Sequence, residues 1–305
     1  MLSDLTNLNL SCISKTSFPS KDIEILYLDK NQIQEIPEFI IDLHKIKRLS
    51  AYHNHIKTIP NVLFKMTWLE AVNLSANQIT ELPSALGNLY NLKNLDCQHN
   101  KITSVPESIG NLYKLEFLYL AGNKLSNLPL SIEKLINLTY LNLSYNLFSV
   151  LPISIGDLSD LEELRLYNNT LKSLPNSIGS LFKLKELHLS NNELVGLPDS
   201  ITCLKTLRKL VLENNKLEYL PSQMGNLDNL TDLDLRTNCL KKLPESIGAL
   251  KSLRFLDLRD NDLTTLPSSI ADLTALERLD LRLNKHLSIP SWLDEIKQRG
   301  CIVYV

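Results

Sequence analysis

Hydrophobic residues recur along this chain with a period of 23. From Ile23 the pattern reads Ile23-x-x-Leu26-x-Leu28-x-x-Asn31-x-Ile33-x-x-Ile36-Pro37-x-x-Ile40-x-x-Leu43, and eleven more copies start at 46, 69, 92, 115, 138, 161, 184, 207, 230, 253 and 276. Asparagine stands at 31, 54, 77, 100, 123, 146, 169, 192, 215, 238, 261 and 284 without a miss. Twelve of the 13 prolines also fall at intervals of 23, from Pro37 to Pro290. Two apolar residues around one polar position predict a short strand with a single buried face. One coil of this kind cannot cover its own apolar side, whereas stacked coils share a core. The 305 residues are therefore read as one repeat array and not as two ordinary domains.

The rest of the repeat follows from the same logic. An asparagine next to a core needs its amide satisfied, and at the turn after a strand it can bond backbone groups of its own and neighbouring coils. The proline opens the return segment, where its missing N–H costs little. The Pro-x-x-Ile-Gly stretch is too short for a long helix and predicts 3₁₀ or irregular turns. At the front, Leu5-x-x-Leu8-x-Leu10 with Phe18-Pro19 reads as a truncated capping repeat over residues 5–22, with Ile13 in the asparagine place. The twelve full repeats span 23–298. At the far end Ser291-Trp292-Leu293-Asp294 reads as a capping box, with Trp292, Leu293 and Ile296 as the apolar stripe of a helix that Gly300 ends. Residues 299–305 then supply a strand over the open edge. His286 replaces the leucine two residues after the last asparagine and is expected to pack against this cap.

The consensus LxxLxLxxNxLxxLPxxIxxLxx resembles the leucine-rich repeat family in its 23-residue class, over residues 5–298. In style it is similar to Ras-group intracellular repeat proteins of animals and plants and to bacterial repeat proteins, effectors among them. These share the Leu-Pro-x-x-Ile-Gly phrase, present here at Ile109-Gly110, Ile155-Gly156, Ile178-Gly179 and Ile247-Gly248. The resemblance implies an α/β solenoid, a right-handed leucine-rich-repeat horseshoe with a parallel concave β-sheet and short 3₁₀ or irregular convex segments, built as a single domain over residues 1–305. It also brings a small GTPase or a phosphatase into view as partner, on the resemblance alone.

Composition narrows the function. With 44% hydrophobic and 22% charged residues the chain is neither disordered nor fibrous. A net charge of −2 and a pI near 6.3 argue against a sequence-blind nucleic-acid binder. No apolar stretch approaches the ~20 residues of a membrane span. The N-terminal segment lacks the basic charge and unbroken apolar core of a secretory signal. The five cysteines, at 12, 97, 203, 239 and 301, are odd in number, widely spaced and without a CxxC pair. They read as scattered buried thiols in a reducing, cytoplasmic setting.

Catalytic chemistry finds no constellation. His53 and Cys97 lie two repeats apart, one pointing out and one in, so neither can activate the other. His53-Asn54-His55 lacks a third metal ligand of fixed position, and Asn54 is already a ladder rung. The glycines form no phosphate-cradling loop. The reading is a non-enzymatic protein-binding module without cofactor or metal: a scaffold, adaptor or steric inhibitor that takes a protein on its concave face, with neither nucleic acid nor membrane as partner. The alternatives are a bacterial effector that blocks a host protein and, more remotely, an enzyme with a cryptic site.

The residues that flank each buried leucine face solvent on the expected concave side. Two regions emerge there. The first is aromatic: Tyr27, Tyr52, His53 and His99 along the early repeats, then Phe117, Tyr119, Tyr140, Tyr145 and Tyr167 in repeats five to seven. Phe117 and Tyr140 share a column on adjacent strands, so their rings are expected to touch. Exposed aromatic groups on a rigid surface are what partners anchor on. The second is charged: Asp234/Arg236, Asp257/Arg259 and Asp280/Arg282 repeat in register, and with Arg165 and His188 they form the expected polar rim.

Overall fold

The computed structural model describes residues 1–18 and 20–305, so Pro19, assigned above to the leading repeat, lies outside the described residues. The chain divides into two compact units, Met1–Leu147 and Phe148–Val305. The first holds β1 (Leu2–Asp4), β2 (Ile25–Tyr27), β3 (Arg48–Ser50), β4 (Ala71–Asn73), β5 (Asn94–Asp96), β6 (Phe117–Tyr119) and β7 (Tyr140–Asn142). The second holds β8 (Glu163–Arg165), β9 (Glu186–His188), β10 (Lys209–Val211), β11 (Asp232–Asp234), β12 (Phe255–Asp257), β13 (Arg278–Asp280) and β14 (Ile302–Tyr304). Within each unit successive strands pair in parallel and in chain order. The middle residue of each strand from Leu26 to Leu279 is buried, and its two neighbours mostly keep one side in solvent. That alternation is the period-two pattern of a one-faced sheet.

The return segments are 3₁₀ turns. Most run five residues, as in Glu107–Asn111, and begin after a proline in extended conformation, such as Pro106 with φ −72° and ψ 153°. The glycine of the Ile-Gly phrase is required by stacking: a Cβ on Gly179 would lie 2.3 Å from the Ser200 carbonyl oxygen, and one on Gly248 would lie 2.1 Å from that of Ser269. The turn of the next coil sits directly against the glycine backbone.

The asparagine ladder forms. Asn54 Nδ2 donates to the carbonyls of Leu28 (2.9 Å) and Ala51 (3.2 Å), and its Oδ1 accepts from Ile33 N–H at 3.0 Å. Asn146 repeats this with Leu120 (3.0 Å), Leu143 (3.0 Å) and Leu125 N–H (3.0 Å). Each rung therefore ties its own coil to the coil before it, and the junction on its other side belongs to the next asparagine. The residue just before the asparagine is left-handed in every repeat, with φ from 52° at His99 to 67° at Gly122. Only one of these twelve is glycine, so nothing in the composition signals the turn. An L-residue there costs roughly 1–2 kcal/mol, offset by aiming each asparagine into its coil.

Four expectations need correction. The leading strand is Leu2–Asp4 and not the Leu8–Leu10 segment, since Leu2, Ser3 and Asp4 pair with Ile25, Leu26 and Tyr27. Leu5 thus takes the place of Leu28, and Leu8 stands in the asparagine slot; Asn31 Oδ1 accepts from both Leu8 N–H and Leu10 N–H at 3.0 Å. The backbone keeps its offset of 23 here, so no residues are lost. The C-terminal helix α1 (Leu293–Gln298) starts after Trp292, which is already helical, and no side chain caps it; Ser291 acts only through its carbonyl, which Asp294 N–H reaches at 3.2 Å. Leu293 and Ile296 are buried as the stripe requires, and Gly300 ends the helix at φ 95°. His286 is exposed, because the chain turns between Asn284 and Leu287 (Leu287 N–H to Asn284 O, 3.2 Å) and carries it outward. Finally, only Cys97 and Cys301 are buried; Cys12, Cys203 and Cys239 are exposed, two of them on turns between core positions.

Candidate functional site

In the first unit Tyr27, Phe117, Tyr119 and Tyr140 stand on strands as half-buried residues of the solvent face. The expected Phe117–Tyr140 contact is replaced by another. Although Phe117 and Tyr140 are register partners, the Tyr140 ring leans diagonally onto Tyr119, with centroids 4.8 Å apart and planes at 36°. Such an offset pair is favoured by the ring quadrupoles. Tyr52 packs edge-on against His53 at 5.8 Å. His53, His99 and Tyr145 are exposed and occupy the left-handed position of the turn, beyond the strands. Asp29 orders the start of this face: its Oδ1 accepts from Ser50 Oγ at 2.5 Å and from Tyr52 N–H at 2.9 Å. Tyr27, Asp29, Arg48 and Tyr119 help line a shallow depression of about 470 Å³. Tyr167 and Arg165 belong to the second unit, so the aromatic group drawn from the sequence is divided between two bodies.

The second unit carries the charged columns. Arg259 Nη2 lies 2.6 Å from Asp257 Oδ2, and its Nε lies 3.4 Å from Asp280 Oδ2. Arg282 holds Asp280 at 2.6 Å. Arg236 reaches Glu213 at 2.8 Å and Asp234 at 3.2 Å. The hydrogen bond to Asp257 holds the Arg259 guanidinium above its ordinary value. Burial pushes the Asp234 carboxyl up to about 6, against the Arg236 backbone bond and charge, while Asp257 and Glu213 add to the rise. The three Asp/Arg pairs line a depression of about 600 Å³ that also takes in Lys209, Phe255, Arg278 and Tyr304.

Those last four were missed by the sequence reading. Arg254 and Arg278 both stack on the Phe255 ring, at 5.1 and 5.2 Å, and Arg282 lies over Tyr304 at 4.8 Å. A signal existed: Phe255 and Arg278 occupy one column of successive repeats.

Glu163, Glu186 and His188 bring one ligand atom each within 4.8 Å of one another. The protein's own groups meet these charges, since Arg165 Nε donates to Glu163 and His188 Nε2 lies 2.9 Å from Glu186. Burial favours the neutral His188 ring and lowers its pKa, against the bond to Glu186, which raises it. Burial also raises that of the Cys97 thiol, which removes it as a nucleophile at neutral pH. Among the described residues no helix is long and apolar enough to cross a membrane.

Parallel three-residue strands, 3₁₀ returns and an inward asparagine ladder define a leucine-rich-repeat solenoid. The family model described as leucine-rich repeat region matches residues 123–233 and 215–298, and a second, leucine rich repeat, matches 67–125. The chain belongs to the leucine-rich repeat family. It is similar to a leucine-rich repeat protein of Leptospira interrogans, at 37% identity and a TM-score of 0.87 over 93% of this chain and 73% of that one. It is also similar to the ectodomain of the plant membrane receptor kinase GASSHO1/SCHENGEN3 from Arabidopsis thaliana, solved in complex with Casparian strip integrity factor 2. Identity there is 30% and the TM-score 0.71, over 93% of this chain and 38% of that one. An internalin of Listeria monocytogenes, 22% identical, shares the fold with a TM-score of 0.70 over 93% of this chain and 87% of its own. No curated protein matches significantly.

Proposed function

We propose that this chain is a non-enzymatic protein-binding module of the cytoplasm, which holds a partner protein on the solvent face of its sheets as a scaffold, adaptor or steric inhibitor. One observation carries the reading. The face is densely furnished with side chains that the fold does not need for its core, including the Tyr119–Tyr140 pair at 4.8 Å and the Asp/Arg columns. Aromatic groups and arginines on a rigid surface are the residue types that dominate binding energy. The Arabidopsis receptor ectodomain, 30% identical, was solved in complex with Casparian strip integrity factor 2.

The test is capture of partners from candidate lysates by the immobilised chain. Tyr140→Ala and Tyr167→Ala should abolish capture without much change in melting temperature. Tyr113→Ala, on the turn side, should not affect it. Retention of full binding by the two sheet-face variants, with loss in the Tyr113 variant, would place the binding surface on the other side.

A further inference from the structure

The charged columns of the second unit have two levels. The Asp280 side chain is 6% exposed and that of Arg282 46%; Asp257 is 16% exposed and Arg259 30%. The carboxylates are fastened low, each accepting the backbone N–H two residues on: Arg236 to Asp234 (3.2 Å), Arg259 to Asp257 (3.2 Å) and Arg282 to Asp280 (3.3 Å). The charges nearly cancel in sum, but not at equal height. An approaching molecule meets guanidinium.

Beside this lattice stands an arginine with spare capacity. Arg254 spends its fork on Glu277, at 2.7 and 3.0 Å. Arg278, exposed on β13 and stacked on the same Phe255 ring, makes no ion pair with a carboxylate among the described residues. Stacking holds its plane, and a planar guanidinium presents paired N–H groups that match a carboxylate. Lys209 adds a cation to the same depression.

We propose that this depression seats a short acidic protein segment, whose aspartate or glutamate carboxylates are received by Arg278 and by the outward edges of Arg259 and Arg282. The proposal rests on the reading of the sheet face as a protein-binding surface and names the chemistry of the partner there. A carboxylate segment is favoured over a nucleic-acid backbone by the column aspartates, Asp280 buried and Asp234 and Asp257 half-buried. They cancel the long-range field, so little is gained from counterion release, and recognition falls to short directional bonds.

The experiment uses the whole chain and fluorescein-labelled hexaglutamate, with hexaglutamine, hexalysine and a twelve-nucleotide single-stranded DNA alongside. Fluorescence anisotropy should show binding of hexaglutamate and none of hexaglutamine or hexalysine. Arg278→Ala should weaken it at least tenfold with an unchanged melting midpoint, since that side chain holds no ion pair of the fold. Arg278→Lys, which keeps the charge and loses the fork, should fall between. Absence of hexaglutamate binding, equal binding by Arg278→Ala, or preference for the oligonucleotide overturns the proposal. Tyr140→Ala should leave hexaglutamate binding intact while it abolishes capture from lysate. If hexaglutamate fails and capture still depends on Tyr140, only the acidic segment falls, and the protein-binding reading stands.

Discussion

Tyr140 rests on Tyr119 and not on its register partner Phe117: the two tyrosine rings meet diagonally across β6 and β7 at 4.8 Å. A contact on the open side of a sheet adds local order without adding core. A double-mutant cycle in urea melts of Tyr119→Ala, Tyr140→Ala and the double variant should return a coupling of about 0.5–1.5 kcal/mol. Phe117→Ala paired with Tyr140→Ala should return less. The reverse ranking would mean that the register partners are the energetic pair.

Asn146→Leu should cost roughly 1–3 kcal/mol, because it strands Leu125 N–H inside the first unit and takes one donor from each of the Leu120 and Leu143 carbonyls. Asn31→Leu removes five bonds against the four of Asn146, yet should cost less globally, since the coil it ties down is the leading one and can fray alone. Urea melts of the two variants decide this, and equal losses would count against fraying at the front.

Gly179→Ala should destabilise by roughly 1–3 kcal/mol, through overpacking of a Cβ that would lie 2.3 Å from Ser200 O. Backbone oxygen cannot rotate aside as a side chain would. Thermal melts check it, and a neutral result would show that the 3₁₀ turns slide past one another easily.

Asp234 gives a pH signature. Its carboxyl titrates near 6 in the fold and near 3.9 unfolded. Between those values the native state holds the extra proton, so this group's contribution to stability falls as pH rises from about 4 to 6 and stays low above. Asp234→Asn should therefore gain on the parent chain across that window, by roughly 1–2 kcal/mol at pH 7, with the difference constant below pH 4. Denaturation midpoints of both chains at several pH values test it; a gap that narrows with rising pH would reverse the sign.

Much of this fold was legible because each element occupies a fixed place in a 23-residue frame: the buried strand leucine, the ladder asparagine, the proline before the turn. What escaped lacked such a marker. The left-handed residue is lysine, histidine, alanine, glycine, tyrosine, asparagine, threonine, aspartate or leucine in different repeats. The leading strand was misplaced because Leu5, Leu8 and Leu10 fit two frames, and only backbone pairing chooses between them. The Asp/Arg pairs were readable as neighbours two apart, but their difference in height was not. The Arg254–Phe255–Arg278 stack needed a neighbour supplied by the next repeat.

The ladder has a direction. In each unit a rung reaches back: Asn54 closes the coil of Leu28, and Asn77 closes that of Ala51 at 2.9 Å. A coil leaving the ribosome is thus unfinished until the coil behind it arrives, 21 residues separating a waiting N–H, such as that of Ile33 or Ile56, from the asparagine oxygen that meets it. Synthesis from the N-terminus assembles this protein one step in arrears, each turn locked by its successor.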